Sequence, residues 1–366
     1  MIYLDYQATT PLAPEARDAM LPWLDGPGGT GFGNPHSPHR MGRQAAAAVE
    51  AAREKVAALF PSGGKVIFTG GATEALNLAI RGLQSRNMVA HSAIEHSAVG
   101  DTADAAGHRH ILDVDAQGIC DPTQSVPGSV GLIAIMQANN EIGTIQPLTQ
   151  WTKRAHDMGA LLLVDGVQAY GKMALCQDAD MIAISAHKFH GPKGVGALWV
   201  RDPGVLEEVQ TGGGQEHGLR SGTLSPALIA GMGAAAQLAE KQMQADAAHV
   251  EALWTRAREL FSDWTLNGSA SERYKGNLNI RKQGVDVARL MSDCRNIMFS
   301  AGSACASGSG RPSHVLKAIG LSDAEAKSSI RLGFGRYTTM DEIESAAKAI
   351  NQAVKEQEKW GLASPL

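Results

Sequence analysis

Four stretches of the chain are apolar nearly end to end, and each closes on a burst of polar residues. "KVIFTGG" from Lys65, "VGLIAIMQANN" from Val130, "ALLLVDG" from Ala160 and "MIAISAHK" from Met181 are short, and they do not alternate apolar with polar. That pattern predicts strands buried on both faces. Helical segments lie between them. "ATEALNLAIRGL" follows the first, and "LTQWTKRAHDMG" precedes the third and ends on Gly159, a helix-stopping residue. Strand–helix–strand alternation implies an α/β fold with a mostly parallel sheet covered by helices. The bursts, Thr69-Gly70-Gly71, Asn139-Asn140-Glu141, Asp165 and His187-Lys188, then fall at carboxyl ends of strands, where open α/β sheets gather their ligands.

The remainder of the chain fits a second unit. An Ala-rich helical stretch from Pro226 to about Leu260 would join it to the sheet. Beyond lie "GNLNIRKQGVDVARLMSD", a Ser/Gly/Ala run around Cys305, and an amphipathic end near "DEIESAAKAINQAVKE". With 366 residues, 44% of them apolar, a large core is within reach. Charge is near balance, 33 Lys and Arg against 37 Asp and Glu, which is no footprint for nucleic acid or an anionic membrane. No apolar run reaches spanning length. The start, "MIYLDYQATTPL", has neither the basic opening of a secretory signal nor the Arg-rich character of a transit peptide, so a cytoplasmic protein is expected. The four cysteines, Cys120, Cys176, Cys294 and Cys305, form no CxxC pair and no metal-ligand spacing. All but Cys305 read as incidental surface thiols.

Three of the polar bursts carry chemistry. Lys188 ends an apolar run. Burial there would strip solvent from its ammonium and free the amine as a nucleophile towards an aldehyde; a snorkelling surface lysine is the competing reading. Asp165 ends the preceding strand, suited to a protonated pyridine nitrogen or, equally, to capping a following helix. "GGATEA" from Gly70 offers glycines and then a helix start, an anion site or an ordinary turn. Amine, carboxylate and phosphate cradle together match pyridoxal 5'-phosphate.

With those residues in view, the chain resembles the cysteine desulfurases, pyridoxal-phosphate enzymes of aminotransferase class V, and among them the group I branch of iron–sulfur and nitrogenase assembly. The likeness rests on "YLDYQATTPL", "GNPHSPHRMG", "GGATEALNLAI", "IEHSAV", "NNEIGTIQPL", "VDGVQA", "SAHKFHGPKGVGAL", "GGGQEHGLRSGT", "GSACASGSGRPSHVLKAIG" and "SSIRLGFGRYTT". It implies a fold-type I architecture. A large domain over 16–246 would carry a mostly parallel seven-stranded sheet. A small domain from 1–15 and 247–366 would carry a catalytic loop at about 300–312.

The resemblance also implies roles. Lys188 would form the imine with the cofactor. His96 would stack on the ring and move protons. Asp165 would pair with the ring nitrogen and Gln168 with the phenolic oxygen. Ala72, Thr73, Ser185 and His187 would hold the phosphate, with Thr223 completing the cradle from the neighbouring subunit of a homodimer. Asn140 would lie against both cofactor and substrate. Asn34 would line the substrate site, and Arg331 would grip the substrate carboxylate. His96 as a core histidine and Arg331 as a structural ion pair are the competing readings. The Cys305 thiolate would take sulfur from L-cysteine as a persulfide, release alanine, and pass the sulfur to an acceptor protein. A selenocysteine lyase or another class V enzyme is the alternative. Ala186 stands where many members have Gly, and "VDGVQA" replaces the commoner "VDATQS". The chain runs only about thirty residues past Arg336, shorter than members whose tail docks a scaffold protein, and the acceptors the resemblance leaves open are a cluster scaffold, a SufE-like carrier and a thiolation enzyme.

Overall fold

The structure, a computed structural model of the chain, describes residues 1–83, 88–107, 109–302 and 313–361. Its large sheet is built from β1 (Lys65–Thr69), β2 (Met88–Ser92), β3 (Arg109–Leu112), β4 (Val130–Met136), β5 (Leu161–Asp165), β6 (Met181–Ser185) and β7 (Gly196–Val200). The seven strands lie in the order β1-β7-β6-β5-β4-β2-β3. All run the same way except β7, which is antiparallel to β1 and β6. The four strands predicted from unbroken apolar runs are all present. Strands β2, β3 and β7 escape that reading. β3 is a short edge strand with two exposed residues, and β2 carries His91 and Ser92 among its apolar side chains.

The pleat sends successive side chains of one strand into opposite layers. Ile133 and Ile135, with Ile182 and Ile184, pack into the core beneath the helices Arg40–Ala57 (α1) and Leu148–Asp157 (α4). Leu132, Ala134, Met181 and Ala183 pack into the other, beneath Ala72–Arg81 (α2) and Ser97–Ala105 (α3). Both faces are therefore dry, as continuously apolar strands require. Gly159 ends α4 with φ +74°, a left-handed conformation that an L-residue adopts only with strain.

The Ala-rich helix, α5 (Pro226–Leu260), starts where the sequence places it. Ser225 caps it, its side chain accepting from the Leu228 N–H, with Pro226 in the first turn. Its first half packs into the large-sheet core through Ile229, Met232 and Ala236. Its second half enters a separate core through Val250, Leu253 and Ala257. That core lies under a four-stranded antiparallel sheet in the order β10-β11-β9-β8, formed by Thr265–Leu266 (β8), Asn277–Arg281 (β9), Ser300–Ala301 (β10) and Ser329–Gly333 (β11). The helix Met340–Gly361 (α6) closes it through Ile343, Ala347 and Ile350. The chain's first residues belong here. Ile2–Tyr3 pairs in parallel with Ile297–Met298, and Asp5 bridges to Gly333. From Gln7 onwards the segment crosses to the carboxyl ends of the large sheet.

Candidate active site

The polar bursts after β1, β4, β5 and β6 meet at one cavity of about 910 Å³. Ala72, Thr73, His96, Asn140, Asp165, Gln168, Ser185, His187, Lys188 and Arg331 line it, with Gln7, Ala8 and Lys193. Ten residues assigned by resemblance, drawn from six stretches of sequence, thus face one space.

Lys188 stands in a short 3-10 turn, Ala186–Lys188, directly after β6. It is half-buried, and its Nζ donates to the backbone carbonyls of Gln7 (2.6 Å) and Ala8 (2.9 Å). The surface-lysine reading fails, because the amine is held inside the cavity by acceptors that carry no formal charge. Asp165, the last residue of β5, is 7% exposed. Its Oδ1 accepts from the Val167 N–H at 3.0 Å in a local turn; no helix begins there, so the helix-cap reading falls. Burial pushes the Asp165 carboxyl above its ordinary range, and the nearby His96 and Lys188 pull it back. A carboxylate so placed gains by pairing with a cation.

His96 caps α3. Its Nδ1 accepts from the Ala98 N–H at 3.1 Å, so the proton of a neutral ring sits on Nε2. Its neighbour Glu95 is fully buried. One Glu95 oxygen accepts from Ser92 Oγ (2.5 Å) and the Met136 N–H (2.9 Å), and the other is buried with no hydrogen-bond partner. Burial foremost, with Asp165 nearby, pushes Glu95 up to about 8.

At the start of α2, Gly71 takes φ +155°, open to glycine, and no side chain caps the helix. The first-turn N–H groups are therefore left for another acceptor. A Cβ on Gly71 would stand 3.9 Å from Ser185 Oγ. His187 shares a hydrogen bond with Thr9 Oγ1 at 3.1 Å. Burial first, then the charge of Lys188, lowers His187 to about 4, which leaves it neutral near pH 7. Gln168 donates from Nε2 to the Gln7 carbonyl (3.1 Å) and accepts from Lys172 Nζ (3.1 Å).

Arg331, in the middle of β11, is 1% exposed. Its Nη2 donates to Asp5 Oδ1 at 2.7 Å and its Nη1 to the Asn140 carbonyl at 3.1 Å, while its Nε is buried without a partner. It is an ion-paired residue and a cavity residue at once.

Two assigned residues stand elsewhere. Asn34 is exposed in the loop before α1, its Oδ1 accepting from the His36 N–H. Thr223 is exposed and lines a smaller recess beside Gly70, Gly194 and Arg220. Cys305 lies outside the described residues. The surface reading of the other thiols needs correction. Cys120 and Cys294 are buried in apolar cores, and burial raises both thiols, which makes them poor nucleophiles. The carbonyls of Gln7 and Ala8 carry no side-chain signal, so residue-by-residue reading misses their hold on Lys188. Among the described residues no cluster of His, Cys, Asp or Glu could hold a metal ion.

This donor set fits pyridoxal phosphate. It has a buried carboxylate, an amine at a strand end, and an uncapped helix start opened by a glycine whose conformation other residues adopt only with strain.

The profile of the aminotransferase class-V family matches residues 2–345. The cysteine desulfurase IscS of Rickettsia rickettsii (strain Iowa) is 40% identical, over 95% of this chain and 90% of that protein. Among solved structures, a NifS-like protein superposes with a TM-score of 0.89 at 29% identity, over 97% of this chain and 99% of the other. The structure of SspA in complex with cysteine gives a TM-score of 0.80 at 32% identity, over 93% and 100%. A strand-end lysine and buried aspartate on this sheet, with likeness along nearly the whole length, lead to one conclusion: the chain belongs to the aminotransferase class-V family.

Proposed function

We infer that the protein is a pyridoxal 5'-phosphate-dependent cysteine desulfurase. It converts L-cysteine to L-alanine, with the sulfur held as a persulfide on Cys305 and passed to an acceptor for iron–sulfur cluster assembly or thiolation. The observation that carries this is the meeting of Lys188, Asp165 and the start of α2 at one cavity, in a chain 40% identical to a named cysteine desulfurase.

When bound, the cofactor supplies an aldehyde carbon for an amine and a ring that takes up electrons. The protein's own groups do the rest. Asp165 keeps the ring nitrogen protonated. Gln168 offers an N–H to the phenolic oxygen. Ala72, Thr73, Ser185 and His187 hold the phosphate, with Thr223 supplied by a second copy in a homodimer. Lys188 Nζ is the covalent anchor, and with His96 Nε2 it moves protons at the substrate. Arg331 holds the substrate carboxylate beside Asn140 and Asn34. The Cys305 thiolate then attacks the substrate sulfur. The carbon–sulfur bond breaks, a sulfur–sulfur bond forms, and the electron pair left on carbon takes up a proton to give alanine.

A division into a large unit over 16–246 and a small one from 1–15 and 247–366 belongs to this reading, and the separate apolar cores support it. So does a cytoplasmic setting; among the described residues no helix is long and apolar enough to cross a membrane.

The test is sulfide release from L-cysteine with dithiothreitol, comparing the parent with Cys305→Ala. The parent is expected to release sulfide. The variant should lose nearly all of it while L-cysteine still perturbs the visible spectrum. Equal rates would overturn the role of Cys305 and favour a lyase.

A further inference from the structure

We propose that Lys172 is a positioning residue for this site: it holds the Gln168 side-chain amide in the orientation that presents an N–H to the cofactor's phenolic oxygen. The proposal rests on the reading of Gln168 given above.

Lys172 lies on the turn that follows Asp165, and its Nζ donates to Gln168 Oε1 at 3.1 Å. In its charged form the Lys172 amine carries donors only, so the amide atom facing it is the oxygen. On its other side the amide meets the Gln7 carbonyl, an acceptor only, at 3.1 Å from Nε2. Two neighbours of opposite hydrogen-bonding character thus fix one orientation, and one amide hydrogen remains uncommitted. The same Gln7 carbonyl accepts from Lys188 Nζ at 2.6 Å. Lys172, Gln168, Gln7 and Lys188 therefore form one unbroken chain of hydrogen bonds.

Besides Gln168, this lysine contacts the face of the Tyr274 ring through its ammonium. It backs onto a second cavity of about 240 Å³ between the large sheet and the β8–β11 unit, with its Nζ 5.2 Å from the centre of the Tyr274 ring. The carboxylates there are taken: Asp246 pairs with Arg336 and Glu251 with Lys275. Lys172 makes no ion pair among the described residues. Lys188 and His187 face it from the catalytic side, and Arg273 and Arg336 from the second cavity. Burial first, and then Lys188, lowers its amine to about 7. A lysine that loses solvation without a carboxylate needs specific contacts in return; the Tyr274 ring is one, and the hydrogen bond to Gln168 is the one that reaches the catalytic cavity.

The experiment uses the cofactor-loaded protein and the variants Lys172→Met, Lys172→Arg and Gln168→Ala. Three quantities are measured: the pH midpoint of the bound cofactor's visible absorption change, the cofactor dissociation constant, and the melting temperature of the apoprotein. A donor at the phenolic oxygen and a nearby cation both favour proton loss from the cofactor, so losing either raises the midpoint. Lys172→Met should raise it by about half to one pH unit and weaken cofactor binding roughly tenfold. Lys172→Arg, with the second cavity to take the larger group, should restore most of both. Should the Met variant not fold, Lys172→Ala, which opens the position to that cavity, carries the same readout. A Met variant with unchanged midpoint and affinity overturns the proposal, even if it melts lower. If Gln168→Ala shifts the midpoint in that case, only the role of Lys172 falls. If it does not, the placement of Gln168 falls with it.

Discussion

Arg331 Nη2 donates to Asp5 Oδ1 at 2.7 Å, although the two residues stand 326 positions apart. Asp5 is itself held, since Ser300 Oγ donates to the same oxygen at 2.8 Å. The guanidinium expected to take the substrate carboxylate thus already has one carboxylate as a neighbour. It keeps Nε as an unused donor. Asp5 therefore aims Arg331 and at the same time offsets its charge. Arg331→Lys, which loses the planar fork, should raise KM for L-cysteine roughly 10²-fold, with a smaller effect on kcat. Asp5→Asn should lower KM a few-fold while costing about 1–3 kcal/mol of stability. Steady-state kinetics and urea unfolding of the two variants check both. A raised KM in Asp5→Asn would show that aiming outweighs the charge.

Asp165 is expected to act through its charge. Asp165→Asn keeps the size and the acceptor oxygen for the Val167 N–H. It should still bind the cofactor yet lose at least roughly 10²-fold in kcat. Measuring cofactor content alongside turnover separates the two effects. An active Asn variant would remove the aspartate from the chemistry.

Glu95 makes stability depend on pH. Its folded-state value, about 8, lies above the ordinary 4.5, so the folded protein keeps a proton that the unfolded chain gives up. Its contribution is full below about 4.5 and is lost as pH rises towards 8. Glu95→Gln has no proton to lose. Its stability relative to the parent should improve between pH 5 and 8, by at most about 1.4 kcal/mol per pH unit. Denaturant midpoints at several pH values report this. Parallel curves for parent and variant would show that Glu95 is ionised in the fold.

Two glycines separate strain from function. Gly71 and Gly159 both have positive φ, and a Cβ on either would meet no close steric clash. Gly71→Ala should cost about 1–3 kcal/mol and, on the proposed reading of this turn as the phosphate cradle, weaken cofactor binding. Gly159→Ala should cost about 1 kcal/mol and leave cofactor affinity alone. Equal affinities in both variants would place the phosphate elsewhere.

Much of the site was legible because buried parallel strands leave an unmistakable trace. β4, β5 and β6 are apolar throughout, so the polar residues that end them stand out. The unbroken helix α5 was equally plain from its alanines. What escaped depends on contacts between distant segments. The carbonyls of Gln7 and Ala8 have no side-chain signature. No sequence pattern singled out Lys172, whose contact with Gln168 exists only in the fold. Arg331 could be read as a carboxylate grip or as an ion pair, and no spacing rule pointed to Asp5. Cys120 read as a surface thiol, yet it is enclosed by the core, because "AQGIC" tucks its last residue beneath Trp151, whose Nε1 donates to the Cys120 carbonyl at 2.9 Å.

The carbonyls that hold Lys188 and the carboxylate that holds Arg331 come from residues 5 to 8, whereas Arg331 itself is among the later residues to be synthesised. The lining of the cavity is therefore complete only once β11 has been made. A growing polypeptide that has completed the large sheet still lacks the Arg331 side of the cavity until β11 emerges. Contacts of such long sequence separation form slowly. On the proposed reading, the cavity that would receive an amino acid gains its Arg331 side only after the strands that carry Asp165 and lead to Lys188 have been made.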